Sequence, residues 1–246
     1  VGTITPLAQK GNPKPRIFRI FNENAIINRL GFNNKGVDHL VQKLKKRKFI
    51  GVVGVNIGAN KESTGQDRIN DYLSCFRKVH EFCDYITVNI SSPNTPNLRD
   101  LHQSDNLIDL LNAIEGEIKK VNFVKPIFLK ISPDESRESL EFIIQAVDES
   151  GFSGLIATNT TIDKDNLQNS NYKELTGGLS GKPLMNKATK TIIDIKNISP
   201  NIGVIGVGGV MSREDFHEKL NSGACLVQIY TGFIIHGPKI VNELLK

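Results

Sequence analysis

Short apolar runs alternate with amphipathic stretches of helix length along most of this chain, and that alternation constrains the fold more than any other feature. The runs are Phe49–Ile57, Tyr85–Ile90, Pro126–Ile131, Gly154–Thr158, Gly203–Val207 and Ala224–Tyr230. Between and after them lie helix-length stretches at residues 66–82, 104–120, 136–150, 186–197, 212–221 and 237–246. Near-continuous apolar strands separated by helices indicate a parallel sheet covered on both faces. Val1–Thr5 reads as the end of a seventh strand and Ile17–Ile20 as a short strand. Helical periodicity also starts near Val37, with Leu40, Val41 and Leu44 on the same face. An open doubly wound sheet and a (β/α)8 TIM barrel both fit. The barrel needs one more strand, expected upstream of Val1. The 246 residues suit one barrel domain, 1–246.

Composition narrows the function. The net charge of +5 is mild, and no basic stripe is interleaved with aromatics, so a nucleic-acid partner is not indicated. The basic run Lys43, Lys45, Lys46, Arg47 and Lys48 reads most simply as a solvated helix end. The three cysteines, Cys75, Cys83 and Cys225, have no metal or disulfide spacing, which suits free thiols in a reducing compartment. No apolar stretch reaches the roughly 18 residues that span a bilayer.

Polar residues collect where the strands end. Asn56 follows Val52–Val55, Asn89 follows Ile86–Val88, and Lys130 closes Ile127–Leu129. Thr158-Asn159-Thr160-Thr161, Gly208-Gly209 and Tyr230-Thr231-Gly232 follow the next three runs. Barrels and open α/β sheets both build their sites at these C-terminal strand ends. The longest such segment begins at Asn89. Two Asn, two Ser and a Thr fall within residues 89–95, with Pro93 and Pro96 stiffening the backbone. It is either a linking loop or one wall of a polar site.

Gly208-Gly209 and Tyr230-Thr231 follow the last two strands, where barrels commonly hold a phosphate through backbone N–H groups. Thr176–Leu184 is a second glycine-rich loop, suited to the same phosphate or to a lid. No GxGxxG follows a first strand, so a Rossmann site is not supported. Lys130 lies inside an apolar strand and needs a reason. It reaches solvent, forms a Schiff base as in a barrel lyase, or offsets negative charge developing on a cofactor such as a flavin. The surrounding amides favour the last. No histidine falls at a strand end and no metal-ligand spacing is present, so any base must come from the Asn89 segment, with a serine hydroxyl as the candidate.

Taken together, Gly2-Thr3-x-Thr5-Pro6, Asn28-Arg29-x-Gly31-Phe32-Asn33, Gly54-Val55-Asn56-Ile57-Gly58, Asn89-Ile90-Ser91-Ser92-Pro93-Asn94-Thr95, Ala157–Thr161, Gly177–Gly181 and Gly206–Gly209 resemble the dihydroorotate dehydrogenases of class 2, the quinone-dependent, membrane-associated form. The likeness runs in order along nearly the whole chain. It implies a (β/α)8 barrel that holds FMN, oxidises (S)-dihydroorotate to orotate in pyrimidine biosynthesis, and is reoxidised by ubiquinone or another quinone. Ser92 then matches the base that removes the C5 proton. Class 1 relatives, which use other acceptors, carry cysteine there. Thr3, Asn56, Asn89, Lys130, Thr158, Gly181, Gly208, Gly209, Tyr230 and Thr231 match cofactor contacts. Asn28, Arg29, Leu30, Gly31, Phe32, Asn89, Asn94, Asn159 and Thr160 match the substrate-binding segments. The resemblance places the protein peripherally on the cytoplasmic side of a bacterial inner membrane, or on the mitochondrial inner membrane. The family's first strand, its flavin loop with a substrate lysine, and its membrane-associated helices are all expected upstream of Val1.

Overall fold

A computed structural model describes residues 1–92, 104–168 and 170–246. Six strands form one parallel sheet: β3 (Gly54–Ile57), β4 (Tyr85–Asn89), β5 (Ile127–Ile131), β6 (Gly154–Ala157), β8 (Val204–Val207) and β9 (Leu226–Gln228). Their spatial order is β3-β4-β5-β6-β8-β9, which is also their order along the chain. A doubly wound sheet reverses its order at a switch point. A strictly sequential parallel order has no such point and coils in one direction, as a barrel does. Ile4 adds a single parallel bridge to Ile57 at the outer edge of β3, so the expected strand at Val1–Thr5 is reduced to one pairing.

The helices α1 (Val37–Lys45), α2 (Gly65–Val79), α3 (Ser104–Val121), α4 (Arg137–Asp148), α6 (Met185–Ile198) and α7 (Arg213–Asn221) connect or flank the strands. Ser136 and Ser212 start α4 and α7 by accepting from the backbone N–H groups of Ser139 and Asp215 at 3.1 and 3.3 Å. Alternation along the strands divides the two faces. Ile86 and Val88 of β4, and Ile127, Leu129 and Ile131 of β5, join Tyr72, Phe76, Leu110 and Ile114 of the helices in the main core. The intervening residues face inward. Tyr85 and Phe128 meet edge-on at 6.1 Å at the lower end, and the parallel register sets Asn89 beside Lys130 at the upper end. One end of the sheet's inner face is thus filled by aromatic rings, while the other presents an amide and an ammonium.

Of a second sheet, only the short strand at Ile17–Ile20 was legible in the sequence. β1 (Ile17–Ile20), β2 (Ala25–Asn28) and β7 (Gly178–Gly181) pair antiparallel in that order. The stretch Thr176–Leu184, read as a glycine-rich loop, therefore holds a strand at its centre. Its glycines permit close backbone approach: a Cβ on Gly181, which has φ +97°, would lie 2.2 Å from the Asn24 carbonyl oxygen. The strand expected over Phe49–Ile57 starts only at Gly54, and Ile50 and Val52 are exposed. The run Ala224–Tyr230 yields just Leu226–Gln228, followed by the short helix α8 (Thr231–His236) and by α9 (Lys239–Leu245). α5 (Ser170–Lys173) is a single turn before β7. Among the described residues, no helix is long and apolar enough to cross a membrane.

Candidate active site

The upper strand ends enclose a cavity of about 660 Å³. Its wall includes Thr3, Asn28, Leu30, Gly31, Phe32, Asn56, Asn89, Ser92, Lys130, Thr158, Asn159, Thr160, Gly181, Gly208, Gly209, Tyr230 and Thr231. Residues separated by more than 200 positions in the chain therefore meet at one place. One expected residue, Arg29, does not join them. Arg29 turns outward, where its guanidinium donates to the Pro15 carbonyl at 2.9 and 3.1 Å and to the Thr176 hydroxyl at 2.6 Å, and lies over the Phe18 ring. Arg29 follows the last residue of β2 and is held there by its N–H bond to the Arg16 carbonyl at 2.9 Å, with its side chain on the Pro15 side. Asn94, with Pro93 and Pro96, lies outside the described residues.

The wall is tied together by side-chain hydrogen bonds. Thr3 donates to Asn56 Oδ1 at 2.8 Å and accepts from Asn89 Nδ2 at 3.0 Å. Asn89 Oδ1 accepts from the Ser91 backbone and hydroxyl, both at 3.2 Å. Asn159 Nδ2 donates to Ser91 Oγ at 3.0 Å. Behind the wall, the fully buried Tyr72 hydroxyl donates to the Asn89 carbonyl at 2.7 Å. This network spans the ends of β3, β4 and β6 and fixes which amide atoms face the cavity. Ser92 is buried at the end of this segment and lines the cavity.

Lys130 is the only charged side chain among the described lining residues. It lies deep in the protein, and what accessible surface it keeps is intermediate. Burial pushes its ammonium down to about 8. Among the described residues it has no hydrogen-bonded or ionic partner. The Thr160 hydroxyl is likewise buried without a partner there. Opposite, a Cβ on Gly209 (φ +83°) would lie 2.4 Å from Met185 Cα, so only glycine lets this backbone approach α6 so closely. An unsatisfied cation, an unsatisfied hydroxyl, a row of amides and a glycine cradle fit a flat polar heterocycle carrying a phosphate better than they fit an empty interior.

Several lining residues were not singled out from the sequence. Ser180 accepts from the Thr231 hydroxyl at 2.9 Å and donates to the Ile26 carbonyl at 3.1 Å, joining the antiparallel sheet to α8. Gln228 ends β9, and the rule that located Asn56 and Asn89 would also have found it. Asn33 and Asn34 lie in the amide-rich segment after β2. All three thiols are free, and Cys75 and Cys83 are buried.

A sequence model of the family described as dihydroorotate dehydrogenase matches residues 1–246. A dihydroorotate dehydrogenase (quinone) of Idiomarina loihiensis is 46% identical over 251 residues, covering 100% of this chain and 75% of the relative. The enzyme of the same name from Legionella pneumophila is 44% identical over 251 residues, with the same coverage. The crystal structure of ligand-free DHODH from Eimeria tenella superposes with a TM-score of 0.93 at 36% identity, covering 99% of this chain and 74% of that one.

Proposed function

Because the chain belongs to the dihydroorotate dehydrogenase family, we propose that it oxidises (S)-dihydroorotate to orotate, with FMN as the hydride acceptor and a quinone as the final oxidant. Members of the family are in general flavin-dependent. The observation that carries the reading is the convergence of Ser92, Lys130, Asn89, Asn159 and Thr160 on one cavity.

The chain's own groups divide the work. Ser92 takes the C5 proton of the substrate as its own hydroxyl proton passes on, through a threonine hydroxyl or water, to solvent. The electron pair of that C–H bond becomes the C5=C6 double bond as C6 releases hydride. A serine hydroxyl is a weak base in water, so this step needs a dry, fixed setting, and the burial of Ser92 supplies it. Asn28, Asn89, Asn159 and Thr160 offer the donors and acceptors that hold the pyrimidine ring and its carboxylate, and Asn94 joins them in this proposal. Thr3, Asn56, Thr158, Gly181, Gly208, Gly209, Tyr230 and Thr231 hold the cofactor, the glycines by leaving backbone N–H groups open to a phosphate. Lys130 supplies a positive charge that offsets the negative charge developing on the ring system. When bound, FMN takes the hydride and returns two electrons to the quinone. The exposed Tyr230 marks the cavity mouth, and α8 beyond it exposes Phe233 and Ile234, an apolar approach for a lipid-soluble quinone. Peripheral attachment to an inner membrane brings the quinone to that mouth.

The test is the visible spectrum of the purified full-length protein. It is expected to be yellow, and anaerobic dihydroorotate is expected to bleach it. A protein that binds no FMN ends the reading. Ser92→Ala should keep the colour and lose at least about 100-fold in bleaching rate. A lysine held near 8 also suits Schiff-base chemistry, and trapping of a carbonyl substrate on Lys130 by borohydride would favour that rival, whereas the flavin reading expects Lys130 to stay unmodified.

A further inference from the structure

Asn159 and Thr160 belong to a loop that leaves β6 and is held from behind. Thr158 N–H donates to the Val207 carbonyl and Asn159 N–H to the Ile131 carbonyl, at 2.9 and 2.8 Å. These bonds fix where the loop starts. The next two residues turn the other way. The Thr161 hydroxyl donates to Asp134 Oδ1, and the Ile162 N–H donates to Asp134 Oδ2 at 2.9 Å. Lys187, at the start of α6, reaches Asp134 Oδ1 at 2.7 Å, Asp163 Oδ2 at 3.2 Å and the Thr161 hydroxyl at 3.3 Å. Asp134 itself sits just beyond β5, in the turn Ser132-Pro133-Asp134, where its N–H donates to Ser132 Oγ at 3.1 Å. Its side chain is only 11% exposed. It does not line the central cavity. It lines a separate, open, charged cleft of about 580 Å³ on the far side of the loop.

We propose that Asp134, braced by Lys187, is a positioning residue for substrate: it clamps Thr161 and Ile162 so that Asn159 and Thr160 stay turned into the cavity. This rests on the reading above that Asn159 and Thr160 face the pyrimidine ring. The physical case comes from the contrast between adjacent threonines. The Thr160 hydroxyl is buried without a partner among the described residues, while the Thr161 hydroxyl is bound to a carboxylate. An unsatisfied buried hydroxyl favours any rearrangement that finds it a partner. Something outside the cavity must therefore hold the loop in its open-handed conformation. Charge-assisted bonds from a rigid turn next to β5 are suited to that, because they are stronger and better directed than neutral ones. The strand pairing alone does not settle it. Thr161 and Leu179 exchange backbone bonds at 3.1 and 2.7 Å, and the Asn159 N–H and side chain are bonded to the Ile131 carbonyl and Ser91, but these bonds leave the Thr160 hydroxyl without a partner among the described residues and the Thr161 side chain to be held by Asp134.

The experiment uses the full-length, FMN-loaded enzyme with Asp134→Asn, Thr161→Val and Thr161→Ser. Orotate dissociation constants come from flavin absorbance titrations, and KM and kcat from steady-state oxidation of dihydroorotate. Asp134→Asn is expected to raise the orotate dissociation constant and KM together by about tenfold. Its kcat should stay within about threefold of the parent and its FMN content should not change. Thr161→Val should move the same constants by about three- to fivefold, and Thr161→Ser, which keeps the hydroxyl, by less than about twofold. Orotate binding within about twofold of the parent in folded Asp134→Asn and Thr161→Val overturns the clamp. So does a fall in kcat and FMN content at unchanged KM, since that pattern marks general damage. If Asp134→Asn does not fold, Thr161→Val decides the matter. If the parent enzyme binds FMN but not orotate, the fault lies in the reading of the site and not in the clamp.

Discussion

Two lysines are buried in this protein to nearly the same effect and for opposite reasons. Lys130 lies one residue before the end of β5, at the cavity wall, and Lys219 lies on α7 where it packs against α6. Burial pushes both ammonium groups down to about 8. Lys219 has no accessible surface at all, yet it is fully engaged: it donates to the Thr189 hydroxyl at 2.8 Å and to the Met185 carbonyl at 3.2 Å, with Glu218 and Asp215 partly countering the desolvation. Lys130 keeps surface on the cavity and engages nothing among the described residues. A depressed lysine is thus no mark of function by itself. What separates the two is whether protein groups complete the cation's hydrogen bonds or, as proposed for Lys130, leave them to a ligand.

The sharpest way to break this comparison is to replace each lysine with methionine. Lys130→Met should lower kcat/KM by at least about 100-fold, because a charge aimed at the reacting ring system is lost. The unliganded protein should melt at the same temperature or higher, since an uncompensated buried cation has been removed. Lys219→Met should do the reverse. It strands the Met185 carbonyl and the Thr189 hydroxyl, at a cost of about 1–3 kcal/mol in chemical denaturation. Its kcat/KM should stay within about threefold of the parent. Similar behaviour in the two variants would leave the distinction without content.

That distinction was half legible in the sequence. Lys130 stood out because a lysine inside Ile127–Ile131 breaks an apolar run. Lys219 did not, because α7 is a polar helix in which a lysine looks solvated. The parallel strands and their polar ends were readable, since period-two burial and strand length leave a direct mark on composition. Of the antiparallel sheet only β1, Ile17–Ile20, was. β7 reads Gly-Leu-Ser-Gly, with almost no strand propensity, and forms because its glycines let β2 come close. Arg29 was assigned to the site by its neighbours in the sequence. In the fold, it follows the last residue of β2 with its side chain on the Pro15 side, where the Pro15 carbonyl and the Phe18 ring hold it. The Asp134–Thr161 clamp joins two loops with no local signal, and only the packing of β5 beside β6 brings them together.

Raising the pH should sharpen the comparison at intermediate size. The ordinary lysine value is 10.5, and both folded values lie near 8. Between these limits the native protein has released a proton that the unfolded chain still holds. Stability contributed by each lysine therefore rises as pH goes from about 8 towards 10.5, and it is flat below the folded value. Allowing for water in the cavity at Lys130, each should add on the order of 1–2 kcal/mol over that window. Urea unfolding of the unliganded protein at pH 8 and pH 10 measures the total. The part due to each lysine is the rise that disappears in its methionine variant, and an unchanged rise in both variants would refute the assignment.

The smallest effect concerns the hydroxyls that stand beside the two lysines' sites. Thr160, in the cavity wall, has a buried hydroxyl with no partner among the described residues, and Thr189 presents one that is already bound by Lys219. Thr160→Val should leave the unliganded protein as stable or more stable by up to about 1 kcal/mol, because a buried group without a partner has been replaced by a methyl. Orotate should bind about three- to tenfold more weakly, since the bond that the hydroxyl reserves for a ligand is gone. Thr189→Val should lower stability by about 1 kcal/mol or more by depriving a buried ammonium of an acceptor. Orotate affinity should stay within about twofold of the parent. Denaturation midpoints and flavin-monitored titrations on the two variants and the parent, with and without orotate, separate these outcomes. If Thr160→Val destabilises the unliganded protein as Thr189→Val does, the Thr160 hydroxyl has a partner within the protein, and the cavity loses one of its two unsatisfied groups.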